Sequence, residues 1–201
     1  MFVVKIKKIK KIFTQKICIM NRLFIVLSFF MGVIVLGSNY LVQFPVKYYG
    51  LEKILTYGAF SYPIAFLITD LANKLFGKNI AKKIVYIGFF IGVSFTIFFS
   101  TNYSDLISIR IAIGSGTAFI IAQLLDVQIF DQLRKRRWFV APLTSSLIGS
   151  TVDTFLFFSI AFYGTEIPWI TLSLGDLTVK IIVALLMLIP FKILLSSFKA
   201  A

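Results

Sequence analysis

Three aspartates stand where the surrounding sequence is almost wholly apolar: Asp70, Asp126 and Asp153. An ionisable side chain at bilayer depth costs about 2.5–3.5 kcal/mol on insertion scales, so each calls for a partner, a water-filled cavity or a function. Asp70 is followed by Asn73 and Lys74 at i+3 and i+4, so a local pair with Lys74 at the headgroup level competes with a binding role. Asp126 has Gln123 one turn earlier, with Asp131 and a basic loop little more than a turn ahead. Asp153 has no basic residue within one turn, and on a helical period it shares a stripe with Ser146, Ser150 and Thr154. That stripe would turn a polar face toward the interior of a bundle, with Asp153 its deepest and least compensated member. Asp176 and Lys180 are also four residues apart and read as a pair that neutralises itself.

Other chemistry has few residues to work with. Histidine is absent and Cys18 is the only cysteine, which removes the metalloprotease His pair, the Ser-His-Asp triad and a thiolate zinc site. No metal site and no catalytic residue is expected. Gly114 and Gly116 are not followed by Gly-Lys-Ser or Gly-Lys-Thr, so no phosphate loop and no nucleotide cofactor is expected either. A membrane aspartyl protease is the rival from the enzyme class. It would need a Tyr-Asp and a Gly-x-Gly-Asp motif; no Tyr precedes an Asp, and Ser173-Leu174-Gly175-Asp176 lacks the first Gly.

Positioning these groups falls to helices that cross a membrane. The chain has 201 residues, 59% of them hydrophobic and 14% charged, with a mean hydropathy of +0.93 and a net charge of +13. Soluble domains are nearer 45–50% apolar. A helix needs about 20 mainly apolar residues to cover a hydrocarbon core of about 30 Å. Six stretches qualify, at 23–44, 54–71, 84–100, 107–130, 139–163 and 177–195, joined by short links into one all-α domain. Counting Lys and Arg in the links with the N-terminus inside gives 17 on the cytoplasmic side and three opposite, Lys47, Lys53 and Arg110, so both termini are expected to be cytoplasmic. Trp138 and Trp169 fall at opposite interfaces, and Gly88 and Gly92 form a small-residue step read as helix packing.

Residues 1–20 form a separate basic tail of Lys, Ile and Val. It reads either as an amphipathic arm on anionic lipid or as an over-extended reading frame upstream of Met20. The second reading is preferred.

Two blocks carry a resemblance. Gly58-Ala59-Phe60-Ser61-Tyr62-Pro63, then Phe66-Leu67-Ile68-Thr69-Asp70-Leu71 and Phe76-Gly77, form the first. Gln123-Leu124-Leu125-Asp126-Val127, Phe130, Leu133-Arg134, Trp138, Ala141-Pro142, Ser145, Gly149, Asp153-Thr154 and the aromatic run to Phe162 form the second. In these blocks the chain resembles the queuosine precursor transporters, also called the vitamin uptake transporter family, over residues 21–199. The tail has no counterpart there. The resemblance implies import of 7-deazaguanine bases across the bacterial inner membrane to supply tRNA modification, with no direct contact to nucleic acid. A guanine-like edge carries a ring N–H beside an exocyclic amine, which one carboxylate, Asp126 or Asp153, can accept as two parallel hydrogen bonds. Gln123 could meet the base carbonyl, Asp70, Asn73 and Ser146 complete the expected polar set, and Phe60, Tyr62 or Phe155 would cover the ring. Another small planar metabolite is the alternative substrate. A homo-oligomer or a separate energising module remains open, because no energy source is encoded in a nucleotide motif.

Overall fold

The computed structural model describes residues 2–47 and 55–200. Six helices follow one another: α1 Phe2–Leu41, α2 Gly58–Phe76, α3 Lys78–Phe95, α4 Leu106–Leu133, α5 Val140–Phe162 and α6 Trp169–Ala200. The end of α3 widens into a π-helical turn at Thr96–Ser100. Among the described residues there is no strand; an isolated bridge between Pro45 and Thr56 pinches the link from α1 to α2. The all-helical expectation holds. The basic tract from residue 2 onward is helical and continuous with the first apolar segment.

Five of the helices are long and apolar enough to cross a membrane, and α2 is the exception. Its 19 residues include Ser61, Thr69, Asp70, Asn73 and Lys74, yet 12 of them are buried. The reason is its place: α2 packs against all five other helices. A helix surrounded by protein need not be apolar on every side, and its polar groups find partners on its neighbours. The apolar surplus of the other helices faces outward, with Phe29, Phe30, Phe90, Phe98, Phe99, Ile189 and Ile193 exposed on the outer surface. In a chain of this composition that surface meets lipid.

Close approach between helices depends on small residues. A Cβ on Gly88 would lie 2.1 Å from Met31 Cγ, and one on Gly92 2.4 Å from Val35 Cγ1, so the small-residue step does hold α3 against α1. The link from α2 to α3 is the single residue Gly77, at φ +90°, where a side chain would be strained. Asp105 caps α4 by accepting from the backbone N–H of Ile107 at 3.0 Å and of Ser108 at 3.2 Å. Arg110 reaches the carbonyls of Ile160 and Tyr163 at 3.0 and 2.7 Å, closing the C-terminal end of α5 with a cation.

The helix α6 begins at Trp169, eight residues before the apolar stretch expected from 177. Asp176 and Lys180 made that region look interfacial. Both are buried within the bundle, where pairing removes the penalty that hydropathy counts against them.

Candidate functional site

The polar side chains of the interior fall into two clusters along the length of α2. The first gathers Thr69, Asp70 and Asn73 of α2, Gln123 and Asp126 of α4, and Ser145 and Ser146 of α5. Asp70 accepts from both serines, Ser145 Oγ at 3.1 Å on Oδ1 and Ser146 Oγ at 3.2 Å on Oδ2. Thr69 Oγ1 lies 2.5 Å from Gln123 Oε1, and Asn73 Nδ2 donates to the Val127 carbonyl at 2.9 Å. These bonds leave Gln123 Nε2 and Asn73 Oδ1 without a partner among the described residues, and the same is true of both carboxylate oxygens of Asp126. Asp126 is 0% exposed and neighbours Asp70. Ser145 lies beside both carboxylates but gives its hydrogen bond to Asp70.

Burial of this cluster is built into the packing of α5. A Cβ on Gly149 would lie 2.6 Å from the Phe66 ring and 3.4 Å from Asp126 Cβ, so the bare backbone lets α5 close over both. Phe66 therefore stands beside Asp126 as a buried aromatic wall. A narrow cleft between α2, α5 and α6 reaches this cluster at Asp70 and Ser146, past Pro63, Leu67 and Phe191.

The second cluster lies about two turns away, toward the N-terminal end of α2. Lys180 Nζ is 2.9 Å from Asp153 Oδ2, 2.6 Å from Asp176 Oδ2 and 3.1 Å from Thr154 Oγ1. Thr154 in turn donates to Asp176 at 2.9 Å. The ammonium stands 5.0 Å from the centre of the Tyr62 ring. The Tyr62 hydroxyl donates to Asn39 Oδ1 at 3.1 Å and lies 3.3 Å from Ser115 Oγ, which also bonds Asn39; Asn39 Nδ2 donates to Thr96 Oγ1 at 2.9 Å. Every hydrogen-bonding side chain named here is paired.

Five residues expected to share a site stand together in the first cluster: Asp70, Asn73, Gln123, Asp126 and Ser146. Asp153 does not join them. It is also not uncompensated, as the absence of a nearby basic residue in its own helix implied, because Lys180 reaches it from α6. Lys180 is correspondingly more than the local partner of Asp176. Tyr62 belongs to the second cluster, while Phe60 and Phe155 are 46% and 41% exposed and stand on the outer surface. Ser145, Thr69 and Phe66 stand in the blocks that carry the resemblance but have no place in the site expected from the sequence, and the reach of Lys180 is not expected from it. A signal for the last exists: Asp153 and Lys180 lie 13 and 14 residues on either side of Glu166 in the α5–α6 link, which sets them level in an antiparallel pair.

Residues 56–195 match the family model described as "putative vitamin uptake transporter". The chain belongs to that family. As a member of the vitamin uptake transporter family it is a multi-pass membrane transporter, and both polar clusters lie within the matched segment apart from Asn39. Among its relatives, a protein named "Probable queuosine precursor transporter" from Haemophilus influenzae is 36% identical over 199 residues, covering 85% of each chain. The "Queuosine precursor transporter" of Escherichia coli is 35% identical over 183 residues, covering 82% of each. A "Probable queuosine precursor transporter" of Bacillus subtilis is 28% identical over 174 residues and 75% of each. No solved structure matches the chain.

Proposed function

We propose that this vitamin uptake transporter imports queuosine precursors, 7-deazaguanine bases, across the bacterial inner membrane, without a chemical step of its own. The relatives named for that substrate support the class of cargo. The observation that carries the site is the set of buried polar atoms left open together in the first cluster: Asp126 Oδ1 and Oδ2, Asn73 Oδ1 and Gln123 Nε2. A buried polar atom without a partner costs about 1–3 kcal/mol, so a group of four is a standing demand for a ligand. Three of these atoms accept and one donates. The hydrogen-bonding edge of a deazaguanine is the converse, with a ring N–H and an exocyclic amine beside one carbonyl.

In this reading Asp126 accepts the ring N–H and one amine hydrogen in parallel, and Gln123 donates to the base carbonyl. Asn73 takes a remaining N–H. Asp70, with Ser145 and Ser146 bound to it, fixes α5 against α2 beneath the base. The aromatic cover is Phe66, in place of Phe60 or Phe155; stacking of a base on such a ring is worth about 1–3 kcal/mol. The closed cluster opens for the base along the seam of α2, α5 and α6, where a narrow cleft already reaches Asp70 and Ser146. Asp153 with Lys180, Asp176 and Tyr62 sits on the same seam about two turns on and holds it together from the other end.

The arrangement fits six spans, with α2 as the shielded sixth, and both termini in the cytoplasm. Cells that cannot make the precursor, with and without this protein, provide the test. Import of labelled base and restored queuosine in tRNA are expected with it. Equal queuosine content in both strains would overturn the assignment.

A further inference from the structure

The first cluster holds two carboxylates, and its two serine hydroxyls both go to one of them. Asp70 takes both hydroxyl protons, from Ser145 and Ser146. Asp126 faces it with neither oxygen partnered, at 0% exposure. The surrounding charges are engaged elsewhere. Lys74 of α2 donates to the Arg134 carbonyl, Lys78 of α3 to Gln128, and Lys180 of α6 to Asp153 and Asp176. From α5 the hydroxyl beside Asp126 is that of Ser145, and its proton goes to Asp70. An ionised carboxylate with neither donor nor cation cannot stay in such a place beside a second one; it takes up a proton instead.

We propose that Asp126 carries a proton until the base arrives and gives it up when the base binds. The inference rests on the reading of the cluster as the base site. The balance is simple. The O–H bond of the Asp126 carboxyl breaks, its proton leaves to water, and the carboxylate that remains accepts the ring N–H and the amine of the base. No bond within the base changes. A carboxyl that kept its proton would set an O–H against one of the two base donors and lose that hydrogen bond. Each base that enters is therefore exchanged for one proton, and a carrier returning empty takes that proton back with it. Net transport is base inward and proton outward, so accumulation of the base in the cell depends on a later reaction that consumes it.

The probe is 7-cyano-7-deazaguanine, which has no group that ionises near neutral pH, so any proton released on binding comes from the protein. Calorimetry of the full chain in lipid nanodiscs, in sodium-free buffers of differing protonation enthalpy, should show one proton released per base. The apparent Kd should rise about tenfold for each unit the pH falls over the range where Asp126 holds its proton. Asp126→Asn, where it still binds, should release none. In vesicles, an acidic interior and an alkaline bath should give faster uptake than the reverse gradient. Base binding with no proton released, binding that requires sodium, or faster uptake under the reverse gradient each overturns the exchange while leaving import itself intact. Failure of the folded protein to bind or import the base overturns both.

Discussion

Asp126 and Lys180 are both fully or almost fully buried, and they answer the cost of burial in opposite ways. Lys180 is surrounded by acceptors from two helices, so its charge is matched on the spot. Removing it in Lys180→Met leaves Asp153 and Asp176 buried together with nothing opposite, a loss of about 3–5 kcal/mol for a broken buried pair. Low membrane abundance and a lowered unfolding temperature in detergent are expected. Asp153→Asn differs, because it leaves one ammonium facing one carboxylate. That variant should accumulate normally and import within about threefold of wild type, a difference of less than 1 kcal/mol. Asp126→Asn should also accumulate normally, since it removes an unpaired acid. Its amide would point an N–H at a base donor, so its uptake should fall about tenfold or more, for a mismatch of about 1–3 kcal/mol. Uptake and immunoblot measured side by side separate the three. Wild-type uptake by Asp126→Asn, or loss of uptake by a well-expressed Asp153→Asn, would move the site to the second cluster.

At the scale of the element, helix contacts decide which polar groups can meet. The α1–α3 contact is set by Gly88 and Gly92 lying directly on Met31 and Val35. Val35 is β-branched and cannot swing clear, so Gly92→Ala overfills the contact at a cost of about 1–3 kcal/mol. Gly37 is the control within α1. A Cβ there meets nothing within 4 Å, and alanine is the better helix former by about 1 kcal/mol, so Gly37→Ala should leave stability unchanged or raise it. Thermal unfolding of the two variants in detergent should shift in opposite directions or leave Gly37→Ala unmoved. A stable Gly92→Ala protein would mean that α1 and α3 are free to part. The helix α2 obeys the same logic in reverse: it tolerates Asp70 because Ser145 and Ser146 of α5 donate to it, and Asn73 because its amide N–H reaches the Val127 carbonyl of α4.

For the molecule as a whole, the asymmetry of charge sets how the bundle lies in the membrane. Arg134, Lys135, Arg136 and Arg137 follow α4, whereas the α3–α4 link at 101–105 carries no basic residue. The positive-inside rule predicts that the first link faces the cytoplasm and the second the outside. Single cysteines placed at Ser104 and at Lys135 in a Cys18→Ser background should therefore react with a membrane-impermeant reagent in intact cells at position 104 and not at 135. Equal labelling, or the reverse, would break the six-span arrangement with cytoplasmic termini.

That this chain is an apolar helical bundle is legible in its residues alone, because a backbone in lipid must satisfy its own hydrogen bonds and long apolar runs leave only the helix to do it. The sequence also marked Asp70, Asp126 and Asp153 as costly and in need of a partner, a cavity or a function, since the price of an acid at depth is visible in one dimension. Tertiary structure alone decided which of them stand together. Asp153 meets Lys180 across the α5–α6 hairpin, while Asp126 meets Asp70 from a helix more than 50 residues away in the chain. Those meetings depend on how each helix is rotated about its axis, and that rotation is fixed by side-chain contacts such as Gly149 on Phe66. The same rotation turned Phe60 and Phe155 outward and Phe66 inward, a choice that a run of phenylalanines in uniformly apolar helices does not record.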